Sequence, residues 1–225
     1  MIALAPTWRI EEGSRADALL LARHHYAAGE PATYARVLRA VEGDRVVGVL
    51  VVSRPTLNAS WRALAWPNAL RGLNRRDAAA WVNAHLRTIS RVIIEPRWRG
   101  VGVARALVRA YLDAPLTTHT EAVAAMAGVS PFFERAGMRR ITRPPAAHEQ
   151  TLRRTLRAQG VRAWELLDLR AARRLCDERE DLARELKRWA GHSRGTRGLL
   201  AQPIALLAAR AGASLCAKPV ALVYP

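Results

Sequence analysis

The 225-residue sequence predicts an α/β protein with a helical region after it. Two runs rich in β-branched and aliphatic residues, 45–53 (RVVGVLVVS) and 89–94 (ISRVII), read as buried strands. The second run passes through a glycine-bearing loop into a segment with apolar residues at Val103, Ala106, Leu107, Ala110 and Tyr111, the spacing of one helix face. Beyond residue 144 helical spacing prevails until the last few residues.

The elements follow in order. Ser14 stands where a cap is needed for a helix carrying Ala16, Leu19, Leu20 and Leu21 and running into Arg23-His24-His25-Tyr26. Residues 27–31 break the pattern. Residues 34–41 and 45–53 read as a hairpin about the turn Glu42-Gly43-Asp44, halted by Arg54-Pro55. The stretch 58–86 is mixed, with loosely helical spacing around Trp61, Leu64 and Trp66 and a second short helix starting at Asn74. Residues 117–124 read as a strand, Ser130 and Pro131 as the cap and first residue of a helix, and 138–142 as a strand stopped by Pro144-Pro145. After that, 148–159 and 164–189 are helical, with Leu166, Leu169, Ala172, Leu175, Leu182 and Leu186 on one face. A loop is expected over 191–198, a helix over 199–210 and a closing strand over 218–224. The expected division is residues 1–143 and a helical extension, 144–225.

The segment from Glu95 to Ala104 carries the sharpest chemical signal. Glu95-Pro96 ends the strand, because proline cannot donate to a ladder. Arg97-Trp98-Arg99-Gly100-Val101-Gly102 then leads into a helix N-terminus, whose first N–H groups are unpaired and partly positive. Glycines permit close backbone approach and the arginines add full charge, which suits a phosphate or pyrophosphate. Two common phosphate loops are excluded. No Gly-Lys-Ser/Thr ending exists, and Arg105 occupies the third glycine position of G-x-G-x-x-G.

Arg97-x-x-Gly100-x-Gly102-x-Ala104 resembles the acyl-CoA loop of the GNAT superfamily of N-acetyltransferases. Ser130-Pro131-Phe132-Phe133-Glu134-Arg135-Ala136-Gly137-Met138 is similar to that superfamily's helix-to-strand segment, with the strand 117–124 between the two motifs. The resemblance implies a GNAT fold: a mixed, splayed sheet flanked by helices, here with a helical C-terminal extension. It implies acetyl-CoA, or another acyl-CoA, as donor. Arg97, Arg99, Gly100 and Gly102 would hold its pyrophosphate beside the amides of Val101, Val103 and Ala104, and the backbone of Val92, Ile93 and Ile94 would face the thioester. Phe133 stands where the family commonly has a tyrosine facing the leaving sulfur. The usual general acid is therefore absent, and either another residue serves or none is needed. A histidine–tyrosine pair (His25, Tyr26) upstream of a hairpin, with a basic core, resembles the Mom-like DNA-modification branch, though the serine and lysine expected after it are missing. That branch implies an acyl-CoA-dependent modification of adenine's exocyclic amine in phage or mobile-element DNA.

Net charge is +17, carried almost wholly by arginine, with Lys187 and Lys218 the only lysines. Arginine-rich codon usage explains arginine over lysine but not the scarcity of acids. Over residues 45–109 there are 12 basic residues against Asp77 and Glu95. A polyanionic partner, DNA or RNA with DNA favoured, accounts for this excess. Tryptophans interleaved with Arg62, Arg71, Arg75 and Arg76 read as core packing or as a base-stacking platform. Cys176 and Cys216 lack metal-ligand spacing and read as buried free thiols of a reducing compartment, so no metal is expected. MIALAPTWRIEEGS has no basic stretch followed by an apolar run, and no apolar run approaches the ~18–20 residues needed to cross a bilayer. A cytoplasmic protein without a membrane partner is expected.

Acyl transfer to an amine needs a neutral nitrogen, donors for developing negative charge and a proton or positive field at the departing sulfur. Glu121 is the first candidate for general base, its alternative being a carboxylate that neutralises nearby arginines. His119 lies two residues earlier, on the same face of an extended segment. His25 and Tyr26 form the other cluster. A nucleobase amine is already neutral, so it tolerates a site without the usual acid and base. The alternatives are acetylation of a protein or small-molecule amine, and a non-catalytic module binding CoA or DNA.

Overall fold

A computed structural model describes residues 7–25, 29–125, 127–142, 146–192, 194–217 and 219–225. Tyr26, Ala27 and Ala28 of the stretch expected to interrupt the helix, and Pro144-Pro145 lie outside the described residues. The chain forms two compact units. One takes the chain up to Thr142 and again from Pro219 to Pro225; the other takes the residues between.

Among the described residues the first unit contains seven strands: β1 (Trp8–Glu12), β2 (Arg36–Glu42), β3 (Arg45–Ser53), β4 (Leu86–Ile94), β5 (His119–Ala124), β6 (Arg139–Ile141) and β7 (Val220–Tyr224). They form one mixed sheet in the order β1-β2-β3-β4-β5-β7-β6. Only β4 and β5 pair in parallel; every other neighbour is antiparallel. The β2–β3 hairpin closes through Gly43-Asp44, with Gly43 at φ 53°, a conformation that favours glycine. β1 escapes sequence reading because Trp8–Glu12 is short and mostly charged. The expected extension 144–225 differs in its last strand: β7 lies between β5 and β6, within the first unit's sheet.

Strand alternation sorts the helices onto two faces. Val49 and Val51 pack beneath α1 (Arg15–Leu21), while Leu50 and Val52 turn to α4 (Val103–Asp113) and α5 (Phe132–Arg135). Likewise Leu222 faces the α4 side, and Val223 faces the insertion carrying α2 (Arg62–Ala65) and α3 (Arg75–His85). The helices expected from Ser14 and Asn74 are both capped: Ser14 accepts from the Asp17 N–H, and Asn74 from Arg76 and Asp77. Ser130 does not cap α5, which begins after Pro131 with no side-chain cap. Gly48 lets α4 approach β3, since a Cβ there would lie 2.8 Å from Ile94 Cδ1 and 3.0 Å from Val103 Cγ1.

The second unit is helical, with α6 (Ala147–Ala158), α7 (Leu169–Glu178), α8 (Glu180–Gly191), α9 (Arg194–Arg197) and α10 (Ile204–Cys216). Its core gathers Leu152, Leu156, Leu166, Leu182, Leu186 and Leu207. The stretch expected as helix over 164–189 is interrupted twice. Asp168 caps α7 through the Arg170 and Ala171 N–H groups, and Arg179 leaves helical geometry between α7 and α8. The loop expected over 191–198 contains the single turn α9. Cys176 is buried as expected, but Cys216 is exposed at the end of α10.

Candidate functional site

The site is organised by where β4 loses its parallel partner. Pairing of β4 with β5 covers only Leu86–Ile89 against His119–Ala122. Just beyond, the β3–β4 register shifts, so that Val52 pairs with Ile89 and Val51 with Arg91, leaving Ser90 as the extra residue. The Ser90 hydroxyl bonds to the Val51 carbonyl and lies 2.7 Å from the Ser53 hydroxyl. Glu95 donates its N–H to Val47 on β3. Antiparallel alternation then turns Ile93 toward β3 as well, and turns the N–H groups of Val92 and Ile94 toward the side that β5 leaves. Val92 and Ile94 are thus distinguished from Ile93, which the sequence grouped with them.

At the end of β4, the loop from Pro96 to Gly102 holds two glycines at positive φ, Gly100 at 81° and Gly102 at 97°. A Cβ built at either meets nothing within 4 Å. α4 starts without a side-chain cap, and its first backbone bond within the helix runs from Ala106 N–H to the Gly102 carbonyl. The N–H groups of Val103, Ala104 and Arg105 therefore open outward from a positive helix end. Outward N–H groups at a positive helix end are the kind of arrangement that can hold an anion.

The two arginines of the loop are partly committed elsewhere. Arg99 donates Nε to the Ile94 carbonyl and Nη2 to the His24 carbonyl, both at 3.1 Å. It fastens the loop to the strand end and to the segment after α1. Arg97 donates Nε to Glu95 Oε1 at 2.9 Å, an oxygen that also accepts from Arg45. Glu95 is buried and closes the strand end, and its Oε2 has no hydrogen-bond partner among the described residues.

The other described candidates, Glu121, Phe133, His25 and His119, take different places in the fold. Glu121 is 2 % exposed, and both its oxygens are held by Arg62, itself 1 % exposed, at 2.9 and 2.7 Å. Trp61 Nε1 donates to the same carboxylate at 3.2 Å. This setting speaks against the general-base expectation for Glu121: the carboxylate is buried and accepts three hydrogen bonds from Arg62 and Trp61, and its alternative as arginine partner is what the geometry supports. Phe133 is likewise a core residue, 5 % exposed and stacked on Phe132 at 4.4 Å. Gly137, in the same motif, ends α5 at φ 107°, where glycine is favoured. His25 lines a cavity beside α1, and Tyr26 lies outside the described residues.

His119 sits in an aromatic box, its ring 4.9 Å from Trp66 and 5.4 Å from Trp81. Burial, and then the charge of His85, lower its pKa below the ordinary 6.5. As pH falls below about 6.5 the unfolded chain takes up a proton that the folded one refuses, so stability is full above that pH and falls toward the lowered folded value. Thermal melts between pH 8 and pH 5 should show this loss, and His119→Phe, which keeps a ring without a titrating group, should flatten it. His119 pairs with Leu86, eight residues before Ile94, so it lies about 26 Å along β4 from the loop.

Two features escaped sequence reading. The cavity of about 410 Å³ beside α1 has Val51, Arg91 and Ile93 as its sheet floor. Arg91 is a polar residue inside an apolar run, which was the available signal. A basic end of the sheet, where β3 stops and β4 starts, was visible only as composition. Of the 12 arginines in 45–109, Arg45, Arg62, Arg97 and Arg109 form ion pairs, and the other eight form none among the described residues. Arg54 and Arg87 line one hollow of about 320 Å³, and Arg75 and Arg76 another of about 590 Å³ with Leu57.

Comparison with known proteins adds little. No protein-family model matches the chain, and no curated protein does. Among solved structures, the chain is similar to SsHAT at 17% identity and a TM-score of 0.38, over 62% of this chain and 94% of that one. It is similar to an apo mutant of agmatine N-acetyltransferase at 10% identity and a TM-score of 0.37, over 60% of this chain and 84% of that one. At these scores neither likeness carries weight for fold or function. No described helix is long and apolar enough to cross a membrane, and no described cluster of His, Cys, Asp or Glu has the makings of a metal site.

Proposed function

We propose that the chain is an acyl-CoA-dependent N-acyltransferase of GNAT type whose acceptor is an amine of a nucleic acid, most simply a nucleobase of phage or mobile-element DNA. The observation that carries this reading is the parting of β4 from β5 at Ile89. It turns the Val92 and Ile94 N–H groups into a gap whose mouth is the Gly100–Gly102 loop and the uncapped start of α4. When bound, the thioester supplies the acyl group and a sulfur leaving group: the new C–N bond forms as C–S breaks, nitrogen sheds a proton and sulfur takes one.

The chain's own residues supply the rest. The amides of Val101, Val103 and Ala104, with the outer N–H groups of Arg97, hold the diphosphate. The Val92 and Ile94 N–H groups stand in the gap as donors for developing negative charge. His25, on the wall of the cavity beside α1, takes the proton shed by nitrogen. Arg54, Arg75, Arg76 and Arg87, which form no ion pair among the described residues, support the nucleic-acid acceptor. Four guanidinium groups meeting four phosphates give an affinity that falls with a log–log salt slope of about −3.6.

Nucleosides hydrolysed from cells expressing the protein should contain an acylated species by mass spectrometry, absent with Gly102→Val. DNA affinity of the purified protein should fall steeply with salt. Unmodified nucleosides together with salt-independent DNA affinity would point instead to a small-molecule or protein amine.

A further inference from the structure

The cavity beside α1 carries an uneven balance of charge. Its floor is β3 and β4, its walls are α1 with the segment after it and the chain leading into β2, and its volume of about 410 Å³ is that of a small-ligand site. The charges lining it are unevenly satisfied. Glu30 is the one acid among its described lining residues, and that carboxylate is taken up by Arg15, at 2.9 and 3.0 Å, and by the Tyr34 hydroxyl at 3.2 Å. Burial and the hydrogen bond to Glu30 raise the Tyr34 pKa, so its hydroxyl stays a donor.

The cations are not matched in this way. Arg91 rises from the central strand with one bond, Nη1 to its neighbour's Ser90 carbonyl at 2.8 Å, and forms no ion pair among the described residues. Arg23 spends Nε on His24 and also forms no ion pair there. Arg91 lies between Ser90 and Val92, at the level where β5 has left β4. A site for a lysine side chain or a polyamine needs the opposite balance, because the acceptor arrives as a cation and requires a carboxylate. Here the free charge is positive, on a fork suited to carboxylate or phosphate oxygens.

We infer that this cavity takes an amine acceptor that carries an anionic group, phosphate or carboxylate, and that Arg91 is the residue that selects it. The inference rests on the transferase reading for the word acceptor, but the binding preference stands on the cavity alone. The rest of the lining suits the body of such a molecule: Ile93 and Val51 below it and Tyr34 at its side offer apolar contact.

The test is isothermal titration with two matched pairs differing only in the anion. One pair is 2′-deoxyadenosine 5′-monophosphate against 2′-deoxyadenosine, the other 4-aminobenzoate against 4-aminobenzamide. In at least one pair the charged member should bind the native protein about ten- to a hundredfold more tightly. Arg91→Gln should abolish that preference and Arg91→Lys should retain part of it, with melting temperatures recorded for both. A preference in the phosphate pair marks a nucleotide acceptor; one confined to the carboxylate pair marks a small acidic amine. Equal binding within both pairs, a preference that survives Arg91→Gln in a folded protein, or no binding of any of the four probes overturns the inference. Acetyl-CoA titrated in parallel separates the two claims. If it fails to bind while the charged probes bind through Arg91, the transferase reading falls and the cavity assignment stands.

Discussion

Replacing Glu121 by alanine should lower the stability of the sheet unit by about 3–5 kcal/mol, because Arg62 would keep its charge with only the Leu57 carbonyl beside it, no carboxylate and almost no water. At this chain length that is a fall of roughly 6–20 °C in melting temperature. The cost comes from stranding a buried charge, not from the worth of the pair. Exchanging both residues together, Arg62→Met with Glu121→Leu, should therefore restore most of the loss. Circular dichroism melts of the two single variants and the double variant measure the difference. If Glu121→Ala melts with the native protein, the carboxylate is not the structural partner its geometry indicates, and its candidacy as a base reopens. Glu121→Ala is for the same reason a poor probe of catalysis, since it removes activity by unfolding.

Valine in place of Gly102 should weaken acetyl-CoA binding by about ten- to a hundredfold while moving the melting temperature far less than Glu121→Ala does. Gly102 sits at φ 97° with open space where a side chain would go. A β-branched residue can occupy that space but not that backbone conformation, at a cost of about 1–3 kcal/mol in whichever state keeps it. The loop escapes the strain by abandoning the geometry that turns its N–H groups outward, and affinity carries the loss. Removing Arg97 and Arg99 together should also weaken binding. The Arg99 share would come from loosening the loop, because that side chain is fastened to the Ile94 and His24 carbonyls. Titration calorimetry of Gly102→Val, Arg97→Ala and Arg99→Ala separates backbone shape from charge. Unchanged acetyl-CoA affinity in all three removes the diphosphate cradle and with it the transferase.

Much of this architecture is legible in the chain because its causes are local. The β3 and β4 runs, the caps at Ser14 and Asn74, and the glycines of the Gly100–Gly102 loop are each dictated by a handful of neighbouring residues. The same locality makes the loop's chemistry readable: glycine spacing, proline and helix start all fall within ten residues. Glu121 shows where that reading stops. Its partner Arg62 lies 59 positions earlier on an irregular insertion, and no periodicity links the two.

Strand, hairpin and helix-start signals, the excess of arginine and the strand–loop–helix order were determined by the sequence alone, because they follow from propensity, patterning and counting. Tertiary structure alone decided which charges are spent. It buried Glu121 against Arg62, fastened Arg99 to backbone, returned the chain's last strand between β5 and β6, and left Arg91 without a carboxylate partner among the described residues. Desolvation and pairing depend on residues brought together from distant positions, and a linear pattern carries no record of that meeting.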